Sequence, residues 1–179
     1  MNGIIRLKHI NDYAKVSYYS ICLDYDDEPI ESIDSLFESF IKEQSNNKEK
    51  LNHILSWLAE IGNKYGATTR YFRPEQLQGE ALGLPPRQFT KEPVYTEDGA
   101  PLPNNLRLYC HMLNENVVIL FSGGIKTAKT PQECNNVKHH FKLANKLTNI
   151  IDQAIKEKDI IWVDENSDID YSDDLILYY

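Results

Sequence analysis

Long apolar runs are missing from this sequence of 179 residues. The longest, Val117 to Phe121, is far shorter than the roughly 20 apolar residues that a membrane-spanning helix requires. The first residues, MNGIIRLKHIN, also lack the order of basic, apolar and small residues that defines a signal peptide. We therefore expect a cytoplasmic protein with no membrane partner.

Cysteine is scarce. The chain has three, Cys22, Cys110 and Cys134, an odd number with no CxxC pair, which is typical of reduced thiols in a cytoplasmic protein. The histidines that could join Cys134 around a metal fit no standard zinc spacing. We therefore predict no metal site and no other cofactor.

Excess positive charge, which is common in nucleic-acid-binding proteins, is absent as well, since the formal net charge is −8. This net charge argues against nucleic-acid binding. The charge is unevenly distributed along the chain, however, which weakens the argument. Residues 67–156 carry 11 basic and 8 acidic side chains, whereas residues 157–179 carry 1 basic and 8 acidic ones. The chain thus combines a mildly basic middle with a strongly acidic end.

The acidic end, DIIWVDENSDIDYSDDLILYY (residues 159–179), is also rich in large apolar side chains. Because full burial of each one is typically worth about 1.5–3 kcal/mol, we predict that this tail docks on the domain formed by residues 1–158 or on a second copy of the chain. Its charge favours a basic surface such as the one formed by Lys138, Lys142 and Lys146, and leads to the hypothesis that the tail covers or borders the candidate RNA face and restrains activity as a mimic of a polyanion. The alternative is that DIIWV is an edge strand and the rest is a solvated end.

Hydrophobic periodicity predicts an α+β fold, in which helices pack on a sheet. The last helix is the clearest, because Thr130, Pro131 and Glu133 form a capping box with proline at the first helical position. We expect it to pack on the sheet through Phe141 and its neighbours on one face, Leu147 and Ile151. The predicted elements, in chain order, are a strand at 13–25, helices within 32–44 and 50–66, an antiparallel hairpin at 106–122 and a helix at 131–156.

The first strand of the hairpin, LRLYCHM, places Arg107, Tyr109 and His111 on one face, about 7 Å apart along the strand. Two interpretations are open. One is an exposed sheet face on which Arg107 packs against Tyr109. The other is a catalytic site for a phosphate-bearing ligand, in which Arg107 binds the phosphate and His111 moves protons at neutral pH.

The segment SGGIKTAKTP follows the second strand and lacks the spacing of a P-loop, which excludes binding of nucleoside triphosphates in that manner. Its two glycines would let the backbone turn sharply, and Lys126 and Lys129 would flank the start of the last helix, where an anion is favoured. We expect Arg107, Lys126 and Lys129 to reach one phosphate-sized anion. The alternative is an ordinary connection with solvated lysines.

In addition to Tyr109 and Lys129, two further basic groups could contact RNA. Lys138, Lys142 and Lys146 recur every four residues along the last helix, which suits either phosphate contact or a solvated face. Arg70 and Arg73 surround two aromatic residues in RYFRP, which suits either single-stranded RNA or the packing of an edge strand.

The stretch LRLYC…NVVILFSGGIKTAKTP resembles the RelE/ParE/HigB-like toxin superfamily, especially its phage-derived branch, over residues 104–156. The resemblance rests on Arg107 and Tyr109 in one strand, the apolar strand that follows, and Lys126 and Lys129 before the KTP that enters the last helix. It implies a RelE-like fold, an antiparallel twisted sheet with an N-terminal helix pair and a C-terminal helix packed on it.

The resemblance also implies metal-independent cleavage of messenger RNA on the ribosome, with Arg107 at the scissile phosphate and Lys126 stabilising its charge. An antitoxin protein would be a further partner. The sequence departs from the branch at Thr127, where a second lysine is common, and in its acidic tail. A non-catalytic RelE-fold module that binds protein is therefore the alternative, and an enzyme acting on a phosphorylated small molecule is a third hypothesis.

Overall fold

The computed structural model describes residues 3–24, 28–75, 81–87, 93–97, 99–127 and 133–179. Within these residues, three α-helices have formed: α1 (Leu36–Glu43), α2 (Lys48–Glu60) and α3 (Lys138–Glu157). The strands are β1 (Ile4–Asp12), β2 (Ser17–Asp24), β3 (Arg73–Pro74), β4 (Leu82–Leu84), β5 (Tyr95–Glu97), β6 (Ala100–Leu102), β7 (Leu106–Met112), β8 (Val117–Ile125), β9 (Ile160–Val163), β10 (Asp168–Tyr171) and β11 (Leu177–Tyr178). Single helical turns of the 3-10 type cover Ile30–Ser32, Ser45–Asn47 and Thr69–Tyr71, and a π-helical turn, Ile61–Tyr65, extends α2.

Seven strands form one sheet in the order β11-β1-β2-β8-β7-β4-β3. Its pairs are antiparallel except for β2 and β8, which run parallel. Two small hairpins, β5–β6 and β9–β10, lie outside this sheet. The predicted α+β class is confirmed, with a mostly antiparallel sheet.

Helices cover both faces of the central strands, so both faces of β7, the strand that carries Arg107, are buried. Leu106, Leu108 and Cys110 belong to the core formed with α1 and α2. Tyr109 belongs to the other core, where it contacts Phe141 of α3 with ring centroids 5.2 Å apart. The interpretation in which this face of β7 is exposed is therefore wrong, because α3 packs on it.

The helix α3 packs on the sheet as predicted, since Phe141, Leu147 and Ile151 are all buried. It begins seven residues later than predicted, at Lys138 rather than Pro131, and its N-cap residue Val137 makes no side-chain capping bond. Thr130 and Pro131 of the predicted capping box lie outside the described residues. A capping box that was not predicted is present at the start of α1, between Ser35 and Glu38.

The two glycines that were expected to form a turn after β8 lie inside this strand. A Cβ atom on Gly123 would lie 1.7 Å from the carbonyl oxygen of Arg107. The register of β7 and β8 shifts between Leu108 and Cys110, close to this point. Gly123 is therefore needed for the close approach of two backbones, which any side chain would prevent.

The tail packs along the edge of the sheet that β11 forms with β1. Ile160 and Ile169, from β9 and β10, are buried in the core beneath α3. Tyr19 donates a hydrogen bond to Asp168 at 2.6 Å, which joins this hairpin to β2. The edge-strand interpretation placed the strand at DIIWV, whereas the strand that joins the sheet is Leu177–Tyr178.

Among the described residues, no helix combines the length and apolar character needed to cross a membrane.

Candidate anion-binding site

Arg107 and Lys126 converge on one carboxylate, that of Glu75. Arg107 Nε lies 3.2 Å from Glu75 Oε1, and Lys126 Nζ lies 2.7 Å from Glu75 Oε2. The side chains of Arg107, Lys126 and Glu75 are 9%, 7% and 0% exposed, respectively. Each oxygen of a buried carboxylate is thus paired with its own cation.

The backbone around this trio fixes the arginine. Arg107 Nη1 donates to the carbonyl oxygens of Asn104 at 2.8 Å and Leu106 at 3.1 Å. Its remaining group, Nη2, makes no hydrogen bond to any residue that the structure describes. The guanidinium is therefore held in one orientation, with one amino group uncommitted.

Lys126 and Glu75 are positioned by neighbouring strands. The amide of Lys126 donates to Asn105 at 2.8 Å, which brings the residue back beside the start of β7. Glu75 follows the edge strand β3, and its carboxylate lies over Gly83 of β4, where a Cβ atom would come within 3.0 Å of Oε1. The absence of a side chain at Gly83 leaves the room that this carboxylate occupies.

Burial lowers the pKa of Arg107, and the charge and hydrogen bond of Glu75 oppose that shift. The nearby positive charge of Arg87 acts in the same direction as burial. Arginine does not lose its proton in proteins, so the group stays charged and depends on Glu75 for compensation. Burial also raises the pKa of Tyr109, which stays a neutral phenol.

Above the trio lies a cleft of about 490 Å³. Polar and cationic side chains line most of it, with Leu102 and Pro103 at one side: Arg73, Arg87, Glu97, Asn104, Asn105, Arg107, Lys126 and Thr127. Arg73 is held by the carbonyl oxygens of Pro85 at 3.1 Å and Pro86 at 3.4 Å, whereas Arg87 is exposed. Four cations around one cleft are suited to binding an anion such as phosphate.

At the rim of the cleft, Glu97 pairs with Lys50, which also donates to Asn105 at 2.8 Å. This second ion pair is less buried than the first, since the side chain of Glu97 is 36% exposed. Its charges largely cancel, so the excess positive charge of the cleft comes from the arginines and Lys126.

The structure separates His111 from this cleft. His111 Nε2 lies 2.7 Å from Asp152 of α3. It is four residues from Arg107, or about 13 Å along the strand, and it does not line the cleft. The expected role of His111 as a proton carrier beside Arg107 does not fit this arrangement.

Tyr109 does not fit its predicted contact with RNA either. The residue has no exposed surface, and its hydroxyl finds no hydrogen-bond partner among the described residues. Phe141 of α3 packs against its ring. A base could stack on Tyr109 only if α3 moved away.

The other predicted RNA contacts are spread over the surface. Arg73 lines the cleft, but Arg70 does not and lies 5.8 Å from the ring of Tyr71. Lys138, Lys142 and Lys146 are exposed along α3. Lys129, expected beside Lys126, lies outside the described residues.

The acidic tail leaves the cleft open. Lys146 Nζ lies 5.2 Å from the ring centre of Tyr179, whereas no described tail residue lines the cleft. The tail joins the sheet at β1, the opposite edge from β3 and β4. The tail therefore does not cover the Arg107 site, but it lies beside Lys146 of the basic row on α3, and its restraint of activity stays a prediction.

Glu75 and Arg87 were both missed by the sequence interpretation. Glu75 is 32 residues from Arg107 and 51 from Lys126 along the chain, and no local pattern marks it as buried. Two prolines next to Arg87 indicated only an irregular segment. The one signal was the basic middle of the chain, which contains all four cations of the cleft.

The described residues contain no group of three histidine, cysteine or acidic side chains arranged to hold a metal ion. No family model matches this chain, and no curated protein and no solved structure is similar to it.

Proposed function

We propose that the basic cleft binds the phosphate backbone of RNA, and that the chain is a RelE-like toxin-family protein that cleaves messenger RNA on the ribosome without a metal ion. The observation that carries the proposal is the convergence of Arg107 and Lys126, together with Arg73 and Arg87, at one cleft. An arginine fork and a lysine point charge are the usual ligands of a phosphate group.

The same cations suit the chemistry of RNA cleavage. When a ribose 2′-oxygen attacks the neighbouring phosphorus, its proton passes to water, the new P–O bond replaces the bond to the 5′-oxygen, and the leaving 5′-oxygen takes up a proton from water. Extra negative charge develops on the phosphate oxygens during this exchange. Preorganised cations stabilise such charge as it develops. Arg107 is preorganised by its bonds to Asn104 and Leu106, and its Nη2 group is available to a phosphate oxygen.

The order of elements also supports a RelE-like fold. A strand, β2, precedes the helix pair α1 and α2, and an antiparallel meander of β4, β7 and β8 precedes α3. This is the order of elements that the resemblance implies from residue 13 onwards, and β1 precedes it. The ribosome and an antitoxin protein would then be the partners of this chain.

A second candidate is a non-catalytic module of the same fold. It is favoured by Glu75, which already neutralises both Arg107 and Lys126. It is also favoured by the position of His111, which leaves the described lining of the cleft without a histidine. Such a module would bind RNA or protein without cleaving RNA.

Induced expression in a bacterium separates the two candidates. A toxin should arrest growth, and Arg107→Ala should relieve the arrest, whereas replacing the exposed Lys156 of α3 by alanine should not. Thermal unfolding of both variants checks that they are folded. Normal growth with the wild-type chain, together with RNA binding in vitro, would favour the non-catalytic module.

Binding to single-stranded RNA tests the cleft itself. Each phosphate contact to a single strand contributes about −0.7 to the slope of log K against log salt. Replacing the exposed Arg87 by glutamine should therefore reduce the slope by about 0.7. No measurable RNA binding by the wild-type chain at low salt would refute the proposed cleft.

A further inference from the structure

We infer that the space between Arg107 and Lys126 is a phosphate subsite, and that Glu75 fills it in the ligand-free chain. This inference rests on the proposed function, because it names the group that the cleft receives and the residue that competes with it. Glu75 would be a specificity-determining residue that sets how tightly the cleft binds phosphate.

The contacts of Glu75 are those of a bound oxyanion. One oxygen accepts from Arg107 Nε at 3.2 Å and the other from Lys126 Nζ at 2.7 Å. Carboxylates and phosphates both accept charge-assisted hydrogen bonds from arginine and lysine. Two oxygens of a phosphate group could therefore replace the two oxygens of Glu75.

The surroundings of the pair match a ligand site better than a stabilising element of the core. Both cations of the pair line an open cleft, and Arg87 adds another positive charge there. A buried ion pair on its own is weak evidence of stabilisation, because desolvation offsets most of the attraction. A buried carboxylate that contacts two cations of the cleft instead holds them oriented until an external anion arrives.

Gly83 indicates that the fold makes room for this carboxylate. An added Cβ atom there would come within 3.0 Å of Glu75 Oε1 and 3.4 Å of Glu75 Cγ. The substitution Gly83→Ala would therefore press on the far end of a flexible side chain. It gives a way to disturb the contact of Glu75 without changing any charge.

The test uses the purified full chain and its Glu75→Gln variant, with Glu97→Gln as the matched control at the rim of the same cleft. Binding of a fluorescently labelled single-stranded RNA is measured by anisotropy at several salt concentrations. Glu75→Gln should bind at least about tenfold more tightly, the equivalent of one charge-assisted hydrogen bond. Its salt slope should be steeper by about 0.7, for the one further phosphate that the subsite holds.

Inorganic phosphate provides a second probe, independent of RNA. At constant ionic strength, exchanging chloride for phosphate should raise the melting temperature of Glu75→Gln more than that of the wild type or of Glu97→Gln. A ligand that binds only the folded state stabilises it in proportion to its affinity, so the difference reports on the subsite.

The results separate the two proposals. If the wild type binds RNA and Glu75→Gln binds no more tightly, or Glu97→Gln gains as much, the subsite is refuted while the RNA-binding cleft stands. If phosphate stabilises Glu75→Gln selectively but no variant binds RNA, the subsite stands and the proposed function fails. If Glu75→Gln does not fold, Gly83→Ala decides: a gain in RNA affinity supports the inference, and unchanged affinity overturns it.

Discussion

Replacing Glu75 by glutamine removes the carboxylate that Arg107 and Lys126 share, so it should destabilise the fold strongly in the absence of phosphate. Both cations are more than nine-tenths buried, so water cannot fully replace the lost partner. Arginine cannot give up its proton, which leaves a buried unpaired charge at Arg107. Breaking such a pair costs about 3–5 kcal/mol, a large fraction of the stability of a typical domain.

Urea unfolding in chloride buffer measures this loss. The control, Glu97→Gln, breaks an ion pair whose acidic partner is 36% exposed, and it should cost at most about 1 kcal/mol. The double variant Glu75→Gln/Arg107→Met removes both charges and should recover part of the loss, because no unpaired arginine remains. A loss below about 1 kcal/mol for Glu75→Gln would refute the reasoning, since the trio would then be screened by water like a surface pair.

Three other expectations follow from single positions. Phe141→Ala should cost about 3–5 kcal/mol in urea unfolding because its ring is buried between α3 and the sheet, and a cost as small as that of the exposed Lys142→Ala would contradict this. Glu165→Gly should stabilise the chain by about 0.5–1 kcal/mol, because Glu165 has φ +58° in the β9–β10 turn; a loss of stability would show that this turn is not strained. Burial, and then the charge of His139, lowers the pKa of His140 to about 4. As pH falls from about 6.5 to about 4, the unfolded chain therefore binds a proton at His140 that the folded chain excludes, so the free energy of unfolding should decrease over that range. His140→Gln should reduce this decrease between pH 7 and pH 5. An equal drop in both proteins would contradict this.

Local patterns predicted the elements whose side chains repeat regularly. The β7–β8 hairpin and the buried face of α3 follow from alternation and from a helical apolar stripe, and both are present. Strand parity also placed Tyr109 on the face opposite Leu108. Parity could not show that α3 covers this face. It indicates which residues of a strand share a face, but not which other element packs on that face.

The first strand, β1, was not predicted, although it pairs with β2 over most of its length. Polar and charged residues such as Arg6, Lys8 and His9 interrupt its apolar pattern. Two of them are satisfied at long range: Lys8 pairs with Glu38 at 2.9 Å, and Arg6 donates to the carbonyl of Glu28 at 2.7 Å. A charged residue whose partner lies 20–30 residues away resembles a loop residue when only its neighbours are considered.

The same limit of local patterns explains why the sequence pointed to the tail as an acidic restraint and not to Glu75. Eight acidic residues near the end form a conspicuous pattern, whereas Glu75 is a single glutamate in a segment broken by prolines. An exposed acidic segment acts on a basic site only weakly through water and salt, over a distance of about 8–10 Å. One carboxylate in direct contact with two buried cations acts in a lower dielectric, where the same charge has a much larger effect. The residue that controls an anion site is therefore the one that touches its cations, and the effect of Glu75 on phosphate affinity should exceed that of deleting residues 164–179.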